Sequence, residues 1–183
     1  MITENIDEFC SKINKDCNGE ANIIGIDYGL KKTGLAITEH TISISFPLLV
    51  IKSDDFLIAK ILKIIENNNV KALIIGYPID KDGNLHQHGK DVVKISEIIK
   101  SEIDLPILLL DESYTTVQAK GEFYEMYHSI INSQKIRARK KASQIKKYAI
   151  LKDSEDDSYA ANILLKRFIK YYKDLYPSIE SNS

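Results

Sequence analysis

A chain of 183 residues with 44% hydrophobic and 28% charged side chains can build one sizeable core but leaves little room for a second domain; its composition excludes disordered and fibrous classes. No apolar run approaches the roughly 18 residues needed to cross a bilayer, and the acidic start MITENIDEFC is unlike a signal peptide, so a cytoplasmic protein with no membrane partner is expected. The formal net charge of −1 does not announce a polyanion partner, but charge is unevenly spread: KIRARKKASQIKK at 135–147 carries seven cations and no acid, and DSEDD at 153–157 carries four acids.

In chain order, Ile2, Ile6, Phe9 and Ile13 fall at near-helical spacing before a Cys-Asn-Gly ending, so residues 1–20 read as a short amphipathic helix or loose arm, an N-terminal extension. Cys10 and Cys17 lack the close spacing of a zinc site and are too few for a disulfide framework; both are expected as free thiols. From Asn22 the pattern turns to strands: NIIGIDY is short and apolar, GLKKT holds turn residues, and GLAIT and TISISFPLLVI alternate. Residues 54–67 place Phe56, Leu57, Ile61, Leu62, Ile64 and Ile65 on a helical period that stops at Asn67-Asn68-Asn69.

KALIIGY then reads as a buried strand, PIDKDGNLHQHG as a polar loop, residues 91–101 as a helix with Val92, Ile95, Ile98 and Ile99 inward, and LPILLL as another buried strand. A helix from Thr115 to about Tyr127 opens with a capping-box pair, Thr115 and Gln118. The basic segment follows as loop or frayed helix, and a last helix from about Glu155 to Tyr172 buries Ala160, Ala161, Leu164, Leu165 and Phe168. The expected organisation is an α/β domain at 21–173, three antiparallel strands leading a mixed sheet with helices on both faces, and a disordered tail at 174–183.

Three acids stand where such a sheet can use them. Asp27 ends the first buried strand just before Gly29, whose bare backbone leaves room for a ligand, although Asp and Gly are also ordinary turn residues. Glu112 follows the apolar strand at 106–110, at the carboxyl end where open α/β sheets place ligands; Asp111 should point the other way, and DES before a helix could also be a cap. Asp157 lies one turn before Ala161 on the buried stripe of the last helix, or else is the third position of a capping box opened by Ser154. Together, three oxygen donors suit one or two Mg2+ or Mn2+ ions, which can drive phosphodiester cleavage without a protein nucleophile.

Competing motifs fail. GLKKTGLA has the glycine spacing of a phosphate loop but continues Leu-Ala where Lys and Ser or Thr must stand. His86 and His88 lie in a polar loop without further spaced ligands, and no Ser-His-Asp or Cys-His set is present.

Four stretches together resemble the YqgF (RuvX-like) family of the RNase H-like superfamily: GIDYGLKKTGLAIT at 25–38, IIGYPIDKDG at 74–83, LLLDESYTT at 108–116 and DDSYAANILL at 156–165. The resemblance runs from about Asn22 to Ile169 in the family's order and spacing. It implies an RNase H-like fold with Asp27, Glu112 and Asp157 as catalytic, metal-holding carboxylates, which are the positions reached from chemistry. It also implies a nuclease that matures the 5′ end of the 16S ribosomal RNA precursor or, in an older reading, resolves four-way DNA junctions.

Two departures bear on phosphate contacts: Ser113 stands where the family has Arg, and Lys32-Thr33 replaces Arg-Ile in the first turn. The expected nucleic-acid contacts are Lys31, Lys32, Arg137, Arg139, Lys140 and Lys141. Rival readings are a nucleic-acid binding module without catalysis, against which the three retained acids argue, and an ATP-binding protein of the actin and sugar-kinase class, which needs two such domains. The sequence leaves RNA against DNA, and the oligomeric state, open.

Overall fold

In the computed structural model, which describes residues 1–78, 86–111 and 145–177, the elements run β1 (Ile2–Thr3), α1 (Ile6–Cys17), β2 (Asn22–Tyr28), β3 (Lys32–Thr38), β4 (Ser45–Lys52), α2 (Leu57–Asn67), β5 (Val70–Tyr77), α3 (Gln87–Glu102), β6 (Ile107–Asp111) and α4 (Ile145–Leu175). All six strands form one sheet in the order β1-β6-β5-β2-β3-β4. Short connections force β2, β3 and β4 into antiparallel pairs, whereas helical connections allow β5 and β6 to lie parallel to β2. This is the mixed sheet with three leading antiparallel strands that the sequence pattern predicts.

Strand alternation divides the apolar residues between two cores, which explains why VKALIIGY reads as a continuous apolar run: both of its faces are covered. On one face Ile23, Ile74 and Leu108 meet Phe9 and Ile13 of α1 and Ala161, Leu165 and Phe168 of α4. On the other, Ile24, Ile26, Leu73, Ile75 and Leu109 meet Leu57 and Ile61 of α2 and Val92 and Ile99 of α3. Among the described residues, no helix is long and apolar enough to cross a membrane.

Several elements differ from expectation. Residues 1–20, set apart as an extension, contribute to the same sheet and core: β1 pairs with β6, and Phe9 packs edge-on against Phe168 at 5.5 Å between ring centres. The helical alternative holds for 6–17, where the Asn5 side chain caps α1 by accepting from the amides of Asp7 and Glu8, and Asn18 ends it at φ 52°. β4 starts at Ser45 rather than Thr41, because the connection from β3 turns through Ile42, a buried residue at φ 56°.

In α3 the inward face is Gly89, Val92, Ser96 and Ile99, so Ile98, one step off that face, is 39% exposed. HQH is not all loop, since Gln87 and His88 open α3. The last helix begins at Ile145, ten residues before the expected start, and Ala160 is only half-buried while Asn162 is buried. The helix expected at 115–127 and the end of the chain from 178 lie outside the described residues.

The burial of α1 has a chemical consequence. Enclosure, with the Asp7 carboxylate adding to it, pushes the Cys10 thiol up to about 12, and burial raises the half-buried Cys17 thiol as well. In native protein at pH 8, a disulfide reagent should therefore modify Cys17 first and Cys10 only as α1 opens, giving two well-separated phases by absorbance. Two thiols reacting together would contradict the packing of α1.

Candidate active site

Asp27 stands half-buried near the end of β2, opposite Gly34 of β3. Its face of the sheet is fixed by its neighbours. Ile24 and Ile26 point to the α2 and α3 side, while Ile23 points to the α4 side, so alternation puts Gly25 and Asp27 beneath α4. The missing side chain at Gly25 makes this close approach possible: a Cβ there would stand 2.7 Å from the Ala161 carbonyl oxygen and 2.8 Å from Leu165 Cγ. Ala161 and Leu165, one turn apart, thus sit directly over β2 at Gly25.

The turn after Asp27 is pinned by a residue that sequence reasoning missed. Ser53, just beyond β4, donates from Oγ to the Gly29 carbonyl at 2.6 Å, shares a 2.8 Å hydroxyl contact with Thr33, and donates its amide to the Lys31 carbonyl at 3.0 Å. A Cβ on Gly29 would collide with the Lys32 carbonyl at 2.6 Å, so the tight turn requires glycine. Lys31 and Lys32 are exposed there, beside the acid. A polar residue after an edge strand gives no sequence signal for this role.

Across the sheet, Gly25 and Ile26 pair with Ile74 and Ile75, and Gly76 pairs with Leu110. One step further along β2, Asp27 is therefore level with Gly76 and, beyond it, Leu110, about 10 Å away at the usual strand spacing. Asp111 is the last residue of β6, and Arg167 of α4 donates to its carbonyl at 3.1 Å. Glu112 comes next in the chain and lies outside the described residues, as do Ser113, Arg137, Arg139, Lys140 and Lys141.

Position 157 is described as helix backbone, and it changes one reading. Ser154 cannot cap a helix that starts at Ile145, so the capping-box account of Asp157 is lost. Of the two histidines, His86 is exposed at the N-cap of α3, whereas His88 stacks on Tyr28, with ring centres 5.6 Å apart at 15°. Among the described residues no cluster of three His, Cys, Asp or Glu forms a metal site. A surface hollow of about 900 Å³, lined by Glu66, Asn69, Ile103 and Leu105, lies at the other end of β5 from Gly76.

A sheet with this strand order, helices on both faces and an acid at the end of its central strand is an RNase H-like α/β domain. Residues 21–171 match the family model described as RuvX: Holliday junction resolvase. The "Putative pre-16S rRNA nuclease" of Rickettsia africae (strain ESF-5) is 30% identical over 177 residues, covering 96% of this chain and all of the relative. The protein of the same name from Rickettsia bellii (strain OSU 85-389) is 37% identical over 123 residues, 66% of this chain and 77% of the relative. The chain therefore belongs to the RuvX family, a family of nucleases. Solved structures similar at 13% identity include the fowlpox virus resolvase with Holliday junction DNA (TM-score 0.47, 85% of this chain and 99% of that one). The yeast mitochondrial Holliday junction resolvase is another (TM-score 0.41, 96% and 92%).

Proposed function

We propose that this chain is a divalent-metal-dependent endonuclease that processes the 5′ end of the 16S ribosomal RNA precursor in the cytoplasm, with Asp27, Glu112 and Asp157 as its acids. The observation that carries this is the seating of α4 on Gly25. The carboxyl end of α4 lies near the start of β2: Tyr172 and Tyr176 line a cavity with Thr41 and Ser43, and the Ala21 amide donates to the neighbouring His40 carbonyl at 2.6 Å. Position 157 lies one helical turn before Ala161, whose carbonyl stands over Gly25, two residues before Asp27.

The donor chemistry fits a hard cation. Asp27 offers carboxylate oxygen at a strand end beside a tight glycine turn, while both cysteines belong to α1 and Cys10 is sealed in the core. Mg2+ or Mn2+ bound there would polarise a phosphodiester and stabilise charge building on its oxygens. The chain's own groups would do the remainder: the three carboxylates would hold the ion, and Lys31, Lys32 and the segment 135–147 would attract the phosphate backbone. Ser113 in place of Arg removes one cation next to the acids, which makes the basic segment more important.

The names of the Rickettsia relatives support precursor RNA as substrate, and the description of the matched family supports a branched DNA junction as the second reading. Purified protein incubated with labelled precursor RNA and with a synthetic four-way junction, with and without Mg2+ or Mn2+, tests both. Metal-dependent cleavage of the RNA alone supports the proposal; cleavage of the junction alone selects the other substrate, and no cleavage of either removes the enzymatic reading. In binding assays, Lys140→Ala with Lys141→Ala should weaken affinity for every sequence and reduce the salt slope by about one to two units. An unchanged slope would take these residues off the binding surface.

A further inference from the structure

At the carboxyl end of β6, a cavity of about 590 Å³ opens between the start of α1, the sheet edge and the C-terminal half of α4. Phe168 and Leu110 form an apolar floor, and Tyr77, Tyr171, Arg167, Glu4 and Asp111 supply its polar and aromatic walls. We propose that this cavity receives one unstacked base of the nucleic-acid substrate, from a nucleotide next to the phosphate held at the acids. The inference rests on the nuclease reading for the identity of its ligand, and on the cavity's own lining for the choice of a base over a phosphate.

The lining makes that choice. It holds one cation and two carboxylates, and the cation already donates to the Asp111 carbonyl at 3.1 Å, so a phosphate would face net like charge. A neutral base meets no such penalty. Its exocyclic amino and ring N–H groups are donors that a carboxylate can accept, and its faces suit tyrosine and guanidinium planes. Both carboxylates lie near the Tyr77 hydroxyl, which is raised above the usual tyrosine range by burial first and then by Glu4 and Asp111. Tyr171, 36% exposed, is held by its hydroxyl, which donates to Asp7 Oδ1 at 2.7 Å. A ring fixed at its polar tip and partly open to solvent is ready to stack.

Position supports the same ligand. Asp111 lines the cavity and is the residue immediately before Glu112, so a base seated here belongs to a nucleotide adjacent to the reacting phosphate. The contribution of α1 and Glu4 to the wall also gives the N-terminal segment, which lies ahead of the matched residues 21–171, a part in substrate choice.

The test is binding without divalent metal, so that cleavage plays no part. Fluorescence anisotropy would compare a 12-nucleotide single-stranded RNA with an abasic strand of the same length, on wild type, Tyr171→Ala and Tyr171→Phe. The proposal expects Tyr171→Ala to weaken the intact strand about 5- to 100-fold, the scale of one lost base stack, with the abasic strand little affected and Tyr171→Phe within about twofold of wild type. Equal loss on both strands, or no loss on the intact one, would overturn it. If wild type shows this base dependence yet cleaves neither substrate when metal is added, the nuclease reading fails and the base site stands. Metal-dependent cleavage without base dependence would overturn the base site and leave the nuclease reading intact.

Discussion

Asp27→Asn is expected to leave the protein folded and to lower metal-dependent cleavage by at least about 10²- to 10³-fold, the scale on which removing one group that stabilises developing charge acts. The change is nearly isosteric, and the backbone at this point is held by the β2–β3 pairing and by Ser53 on the following turn, neither of which needs the carboxylate charge. What is lost is the negative oxygen that attracts a divalent cation, since a neutral amide oxygen attracts it far less. Single-turnover rates at saturating enzyme, with circular dichroism and melting curves for folding, check the expectation. Nucleic-acid binding should survive, because the proposed phosphate contacts are lysines and arginines that this substitution leaves in place. A variant that cleaves at the wild-type rate would remove Asp27 from the reaction.

Gly25→Ala should have the largest effect on stability and a secondary one on activity. Leu165 can move aside because its side chain has rotamers, but the Ala161 carbonyl is helix backbone, 2.7 Å from the new carbon, so α4 itself must shift. Inserting a carbon into such a contact costs about 1 to 3 kcal/mol. That corresponds to a melting temperature lower by roughly 2 to 4 °C for each kcal/mol in a domain of this size. Because α4 carries the proposed ligand Asp157 and is seated on β2 two residues before Asp27, cleavage should fall further than the folded fraction does. Denaturant titration alongside cleavage rates would show both, and a variant as stable and as active as wild type would contradict this helix position.

Hydrophobic periodicity predicts most of the sheet because each strand has a clear partner or two covered faces, as in NIIGIDY and KALIIGY. It fails where packing, not period, decides. Ile42 reads as strand by composition but is buried at positive φ in a turn, and Ile98 reads as core but lies one step off a face centred on the small Ser96. The first 20 residues read as an extension because two residues of β1 carry no recognisable strand signal; only the edge of β6 makes them a strand. The last helix starts earlier than its sequence suggests because charge and Ser154 imitate a beginning.

The candidate site is legible in a different way. Asp27 follows from its strand end, but the close approach of α4 above it depends on Gly25, which the sequence shows only as one glycine among eight. Ser53 and the cavity beside Asp111 depend on contacts between distant segments, from Gly29 to Ser53 and from Glu4 to Arg167, that no local pattern encodes.

Whether Asp27 and Asp157 share one divalent ion is read from Mn2+ titration followed by electron paramagnetic resonance of the free ion. Asp27→Asn and Asp157→Asn should each weaken Mn2+ binding by more than the roughly 10- to 100-fold that loss of a supporting outer partner costs. Asp156→Asn, at a position turned about 100° around the helix, should bind as wild type does. Wild-type affinity in either of the first two variants, or a loss confined to Asp156→Asn, would contradict the account.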